Sequence, residues 1–220
     1  LGFSHQELFY SNFIKLSVEY TGLKVEQFFE SKSKERLSRI IIVPYVQFDV
    51  KSAFGHIFSH KDVGKGDHTY GRRRTLLAFS GSLLPKTAPF RAFFKEICDL
   101  STECVYQSNQ NSRQLINTEE SLILYKNSTF CAILGGDTRA SKRLFDAISS
   151  LCIPVIFDPL LVLPFAADIP YDKITVSAQF ISKRNDFQNM IDKLNRIPDS
   201  EIRTMQVLLS KFKSRLSYFN

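Results

Sequence analysis

Phe130-Cys131-Ala132-Ile133-Leu134-Gly135-Gly136-Asp137-Thr138 opens the stretch that decides the fold, and Cys152-Ile153-Pro154-Val155-Ile156 closes it. An apolar run enters two glycines, a carboxylate and a hydroxyl. A helical segment follows to about Leu151, and a second strand-like run comes next. A buried strand, a glycine turn, a helix and a further strand make a parallel βαβ unit. Open sheets of this kind bind ligands outside the carboxyl ends of their strands. The helix start offers unpaired N–H groups and a positive dipole end, which suit phosphate. Glycine lets the backbone approach a ligand closely. Asp137 or Thr138 is placed to cap the helix, and Arg143 to contact phosphate with two nitrogens. Asp146, three residues on, shares its surface and could accept from two ribose hydroxyls. The same residues also read as a plain turn and cap with a surface ion pair, because a glycine turn before a helix is a weak motif.

Outward from this unit the alternation continues. Residues 75–81 read as a strand ending at Ser80-Gly81, residues 90–100 as a helix, and residues 104–106 as a short strand. A helix over 118–126 carries Glu119 and Glu120 in its first turn, where carboxylates suit the dipole. Ile174-Thr175-Val176 reads as a late strand. Residues 186–219 read as two helices split near Pro198-Asp199-Ser200, each with an apolar face. Toward the amino terminus, Phe9, Phe13, Leu16 and Tyr20 fall at helical spacing and predict a helical region over 1–38. Ile40-Ile41-Ile42-Val43 predicts a strand stopped by Pro44. Residues 51–74 hold four glycines, three histidines and many charges, and read as a connecting loop.

Composition removes several classes. Apolar residues make up 44% of the 220 and charged residues 23%, a globular balance that argues against wholesale disorder. The net charge is +7, which fits a phosphate site as well as a polyanionic partner. The nearest thing to a basic block is Arg72-Arg73-Arg74, which runs straight into a strand, so nucleic acid is not expected. No stretch reaches the ~18 apolar residues of a membrane helix. The cysteines at 98, 104, 131 and 152 form no CxxC and fit no zinc pattern. Cys131 with Cys152, and Cys98 with Cys104, could pair in an oxidising compartment; four thiols in a reducing one are equally compatible. His56, His60 and His68 with Asp62 and Asp67 read as a polar loop rather than a metal site. Asn127-Ser128-Thr129 is a glycosylation sequon, a pattern that also arises by chance.

Several segments, taken in order, carry a resemblance. They are Phe130-Cys131, Gly136-Asp137-Thr138, Ser141, Arg143-Leu144-Phe145-Asp146-Ala147-Ile148, Cys152-Ile153-Pro154-Val155-Ile156 and Leu163-Pro164-Phe165. This order resembles the signature of the exostosin family of glycosyltransferases, family 47. Arg74-Thr75-Leu76-Leu77-Ala78-Phe79-Ser80-Gly81, Ile42-Val43-Pro44-Tyr45, and Ile169-Pro170-Tyr171 with Ile174-Thr175-Val176 resemble further family segments. The likeness covers about residues 40–180. Two departures stand out: Leu151 replaces the usual small residue before Cys152, and Ala166 replaces an acidic residue that often follows Leu-Pro-Phe.

The resemblance implies an α/β fold of GT-B type, with a Rossmann-like parallel sheet flanked by helices. Residues 1–70 would be a remnant of the N-terminal, acceptor-side lobe and a linker. Residues 71–185 would form the nucleotide-sugar-binding lobe, and residues 186–220 helices packing on the lobes. It implies metal-independent transfer, with inversion, from a nucleotide-diphosphate sugar to a glycan or polysaccharide. The donor would be linked to UDP or GDP, and no further cofactor is expected. Arg74 and Arg143 would face the diphosphate. Gly136, Asp137, Thr138 and Ser141 would line the sugar and phosphate, and Asp146 would take the ribose. A positive helix end and two arginines would stabilise the leaving diphosphate. The acceptor base is unassigned; Glu19, Asp49, His60, Asp62 and His68 are available. The family setting is the Golgi lumen, in type II membrane proteins, with homo- or heterodimers among the expected partners. One rival is a catalytically inactive family member that binds nucleotide or glycan, or scaffolds an active partner. A second is a basic module for polyanions, which would show steep salt dependence.

Overall fold

Residues 15–17 form a strand where helical spacing predicts a helix. In the computed structural model β1 (Lys15–Ser17) pairs in parallel with β2 (Ile40–Ile42), Leu16 opposite Ile41. The reason is legible afterwards: Ile14-Lys15-Leu16-Ser17-Val18 alternates apolar and polar, the period of a strand. The structure describes residues 15–17, 40–42, 44, 70–83, 89–108, 118–135, 141–179 and 181–216. The histidine and aspartate group over 56–68, and Glu19 and Asp49, lie outside them.

The main sheet has five parallel strands. They are β3 (Thr75–Ser80), β4 (Cys104–Gln107), β5 (Ser128–Ile133), β6 (Ile153–Ile156) and β7 (Val176–Ser177), in the order β4-β3-β5-β6-β7. The helices are α1 (Pro89–Asp99), α2 (Thr118–Lys126), α3 (Lys142–Ser149), α4 (Arg184–Arg196) and α5 (Asp199–Phe212). All six residues of β5 are buried, the pattern of a parallel strand covered on both faces. On one face Phe94 of α1 meets Phe79, Phe157 and, from α4, Phe187, with ring centroids 5.7–6.4 Å apart. On the other face α2, α3 and α5 pack together and on the strands. The late strand starts at Val176 rather than Ile174, because Tyr171–Lys173 forms a 3-10 turn first. The Tyr171 hydroxyl donates to the Pro164 carbonyl at 3.0 Å and closes that turn.

Helix α3 begins later than the glycine turn suggests. Its cap is Ser141, whose hydroxyl accepts from the Arg143 N–H, so neither Asp137 nor Thr138 caps it. Its far end is a Schellman turn: Leu151 N–H donates to Ile148 O at 3.0 Å and Cys152 N–H to Ala147 O at 2.9 Å. This turn requires a left-handed residue, and Leu151 has φ of +54°. Left-handed backbone costs a leucine about 1–2 kcal/mol. Burial of its side chain, 7% exposed, returns about 1.5–3 kcal/mol. The departure at Leu151 therefore repacks a helix end, and it does so far from the carboxyl edge of the sheet.

All four cysteines are paired, Cys98 with Cys104 and Cys131 with Cys152. The first ties the end of α1 to β4; the second ties β5 to the start of β6. The sequence separation of 21 residues in the second corresponds to about 3 kcal/mol of lost chain entropy in the unfolded state.

The amino edge of the sheet is held by the arginines that looked like a basic block. Arg72 Nη2 donates to the carbonyls of Asn195 and Ile197 at the end of α4, and its Nε pairs with Asp199 at 3.0 Å. Arg73 Nη1 donates to the carbonyls of Tyr125, Ser128 and Ser150, and its backbone N–H donates to Thr129 Oγ1. Gly71, with φ of +123°, lies against Gln206 of α5, whose amide contacts both its N–H and its carbonyl. These contacts dock the terminal helices on the sheet.

At the same edge, burial and then the charges of Lys213 and Arg73 lower the Lys126 ammonium to about 8. An unfolded lysine holds its proton to about 10.4. The folded state therefore binds fewer protons between those values, and stability rises with pH there. Lys126→Met is expected to stabilise the fold at pH 7, with the gain shrinking as pH rises through 8. Urea melts of both proteins at pH 6.5 and 9.5 check this.

Candidate functional site

Strand order reverses between β3 and β5. From β3 the chain crosses by α1 to β4 on one side; from β5 it crosses by α3 to β6 on the other. The two helices therefore cover opposite faces, and the carboxyl ends of β3 and β5 form the topological switch point at which open sheets of this kind place their ligand crevice. The chain leaves these strands through Ser80-Gly81 and Leu134-Gly135.

Ser80 is the hub of this edge. Its N–H donates to the Tyr125 hydroxyl at 3.3 Å, its hydroxyl lies 2.7 Å from that of Ser121, and its carbonyl accepts from Arg143 Nε. Gly81 follows because nothing larger fits. A Cβ there would lie 2.5 Å from the Phe79 ring and 2.9 Å from Arg143 Nε. Gly81→Ala is expected to cost about 1–3 kcal/mol through overpacking. Chemical denaturation measures it, and the Phe79 and Arg143 contacts should be the ones disturbed.

Two guanidinium groups lie against the Phe79 ring. Arg143 comes from the first turn of α3, with its guanidinium carbon 5.4 Å from the ring centroid; Nη1 also donates to Ser141 Oγ at 3.1 Å. Arg91 comes from the first turn of α1, 5.5 Å from the same centroid. Its Nε donates to the Gly135 carbonyl at 2.9 Å and Nη1 to the Ser82 carbonyl at 3.3 Å. Arg91 is 4% exposed. A buried guanidinium that spans from α1 to the end of β5 holds positive charge at the mouth of the crevice, and such a group matches phosphate oxygens. No local pattern singled out Arg91. The usable signal was its position at the start of the helix that follows the first glycine turn.

Tyr106 packs on Phe79 at 4.9 Å. Burial pushes its hydroxyl up to about 12, against the opposing charges of Arg91 and Arg143. Burial likewise raises Tyr125 to about 12. Both therefore stay protonated at neutral pH. The Tyr106 hydroxyl and Gln107 Oε1 are enclosed without a hydrogen-bond partner among the described residues, a polar demand that the end of β4 does not meet itself.

Of the residues singled out for the donor, Ser141 and Arg143 stand together at this crevice. Asp146 lies one turn deeper on α3, with both carboxylate oxygens 2.8 Å from Lys142 Nζ. Burial raises its carboxyl, while Lys142 and Arg143 oppose the rise. Its ion-pair partner is thus Lys142, four residues back, rather than Arg143. Arg74 is not brought to the crevice. It precedes β3, and a parallel strand of six residues carries it roughly 20 Å from Gly81; its side chain is exposed at the amino edge. Gly136, Asp137 and Thr138 lie outside the described residues.

Among the described residues no group of histidine, cysteine, aspartate and glutamate could hold a metal ion, and no helix is long and apolar enough to cross a membrane. An open hollow of about 510 Å³ lies between Leu163, Tyr171 and Phe212. Its charged lining residues are Asp168 and Asp172, the wrong sign for a diphosphate. Ala166, at the position of the missing acidic residue, lines this hollow and not the crevice.

The model of the Exostosin GT47 domain matches residues 11–187. Over 88 residues the chain is 34% identical to the probable xyloglucan galactosyltransferase GT20 of Arabidopsis thaliana, covering 40% of this chain and 16% of that protein. Over 121 residues it is 30% identical to the probable arabinosyltransferase ARAD1 of the same plant, covering 54% of this chain and 27% of that protein. The matched stretch thus spans roughly a quarter or less of either relative. Among solved structures, the glycotransferase of kitacinnamycin aligns at 11% identity with a TM-score of 0.42, over 82% of this chain and 47% of that one.

Proposed function

The chain belongs to the exostosin GT47 family, and on that premise we propose that its sheet is the donor-binding lobe of an inverting glycosyltransferase. The observation that carries this reading is the Arg91 and Arg143 pair at the switch point between β3 and β5. A nucleoside diphosphate takes the crevice, with its phosphates against these two guanidinium groups and the start of α3. Gly136, Asp137, Thr138 and Ser141 line the phosphates and sugar. Asp146, oriented by Lys142, accepts from the ribose hydroxyls. Arg91 takes the place that the family resemblance gave to Arg74.

Transfer makes the diphosphate the leaving group, so negative charge grows on the oxygen that parts from the sugar. Fixed cations aimed there stabilise the transition state more than the ground state. Two arginines supply that charge from the protein's own side chains. The acceptor hydroxyl needs a base on the opposite face of the sugar, supplied from outside this lobe. The acceptor is a glycan or polysaccharide; the relatives named above, for galactosyl and arabinosyl transfer, fit that class. The two disulfides support a lumenal, oxidising setting such as the Golgi.

The test is turnover. Panels of UDP- and GDP-linked sugars are incubated with the protein and polysaccharide acceptors, with and without chelator. Release of one nucleoside diphosphate, a product of inverted anomeric configuration and indifference to chelator are expected. Retained configuration would overturn the inverting reading. No release from any donor, by a protein that binds nucleotide, would leave a binding lobe without transfer.

A further inference from the structure

Asn127-Ser128-Thr129 sits at the pole opposite the crevice. Asn127 ends α2, and its backbone is fully engaged. Its N–H donates to the carbonyls of Ile123 and Leu124, and its carbonyl accepts from Thr75 N–H at 3.1 Å. Its side chain is exposed, with Nδ2 donating to the Ile123 carbonyl at 3.0 Å. An amide nitrogen has two hydrogens, so one remains for Ile123 when the other is replaced. Ser128 and Thr129, by contrast, are fully buried. The Ser128 hydroxyl donates to Leu124 O, and Thr129 Oγ1 accepts from Arg73 N–H. In the folded chain the sequon's hydroxyl is thus out of an enzyme's reach, while its asparagine points to solvent.

We propose that Asn127 carries an N-linked glycan, added as the chain enters the secretory lumen and before β5 joins the sheet. The observations that join here are independent. The sequon is the single N-x-S/T in the 220 residues. Its acceptor is exposed at a helix end. The two disulfides belong to the oxidising compartment in which such glycans are added. In the transfer, Asn127 Nδ2 bonds to the anomeric carbon of a lipid-diphosphate-linked oligosaccharide. The bond from that carbon to the phosphate oxygen breaks, Nδ2 gives up one proton, and the lipid diphosphate leaves. The six residues of β5 put the glycan roughly 20 Å from the crevice. It therefore leaves nucleotide access open and covers the amino edge around the end of α2.

The experiment expresses the chain in a eukaryotic secretory host, with an N-x-T tripeptide appended at the carboxyl terminus to report lumenal entry. Both the secreted and the cell-retained pools are digested and mapped by mass spectrometry. The expected result is glycan on Asn127, released by peptide N-glycosidase with conversion of that residue to aspartate. In Asn127→Gln only the appended site is modified, and nucleotide binding equals that of the parent. An occupied appended site beside unmodified Asn127 would overturn the proposal, whether or not the protein is secreted.

Discussion

Arg143→Ala is expected to weaken binding of UDP or GDP by about 1–3 kcal/mol, the scale of a charge-assisted hydrogen bond left unmade. Arg91→Ala should do the same. The effect should fall on the diphosphate and spare the nucleoside, because both guanidinium groups are bonded to carbonyls at the strand ends, whereas Asp146 is held by Lys142. Calorimetric titration with UDP, UMP and uridine separates these parts. If either variant lost uridine as readily as UDP, the arginine would be supporting the fold of the crevice and not the phosphates. Arg143 also holds the Ser80 carbonyl, so each variant's melting curve accompanies its titration.

The second large effect lies at the other edge. Arg73→Met is expected to cost about 3–4 kcal/mol, because it strips three carbonyls of a charged donor at once. Those carbonyls belong to the end of α2, the start of β5 and the C-cap of α3, so one side chain ties together three elements of one face. Burial lowers Arg73 to about 10, and it stays charged at neutral pH. Its neighbour offers a contrast. Arg72 donates to two carbonyls and pairs with an Asp199 side chain that is 60% exposed, all at a solvated rim where water can replace it, and Arg72→Ala should cost about 1 kcal/mol. Urea midpoints of the two variants, with unchanged m, would show the difference. Equal losses would mean that the row of arginines acts as generic charge.

The two edges also show what could be read without a structure. The β5-α3-β6 unit was legible because apolar runs and a helical period alternate over a short distance. Helix α2 was legible over its full length, 118–126, with Glu119 and Glu120 in its first turn where carboxylates suit the dipole. The disulfide partners stood among the alternatives that spacing left open. Contacts that span the sequence were not legible. Arg91 and Gly135 are 44 residues apart, and Arg73 and Ser150 are 77 apart; nothing local marks either pair. Arg74 is different: a residue just before a parallel strand stands at its amino end, so strand direction alone already separates it from a site at the carboxyl ends. The β1 segment failed differently. Aromatic spacing of four residues competed there with a strict apolar–polar alternation, and pairing with Ile40–Ile42 decided for the strand.

The proposed nucleotide site is the carboxyl edge of the sheet, between β3 and β5. Its most direct measurement is the amide spectrum of the isotopically labelled protein titrated with UDP and, separately, GDP. One of the two should shift the amides of Gly81, Gly135 and Arg143, while those of Arg74, Asn127 and Leu151 at the amino edge stay in place. Shifts centred on the amino edge, or on the hollow beside Phe212, would contradict the account.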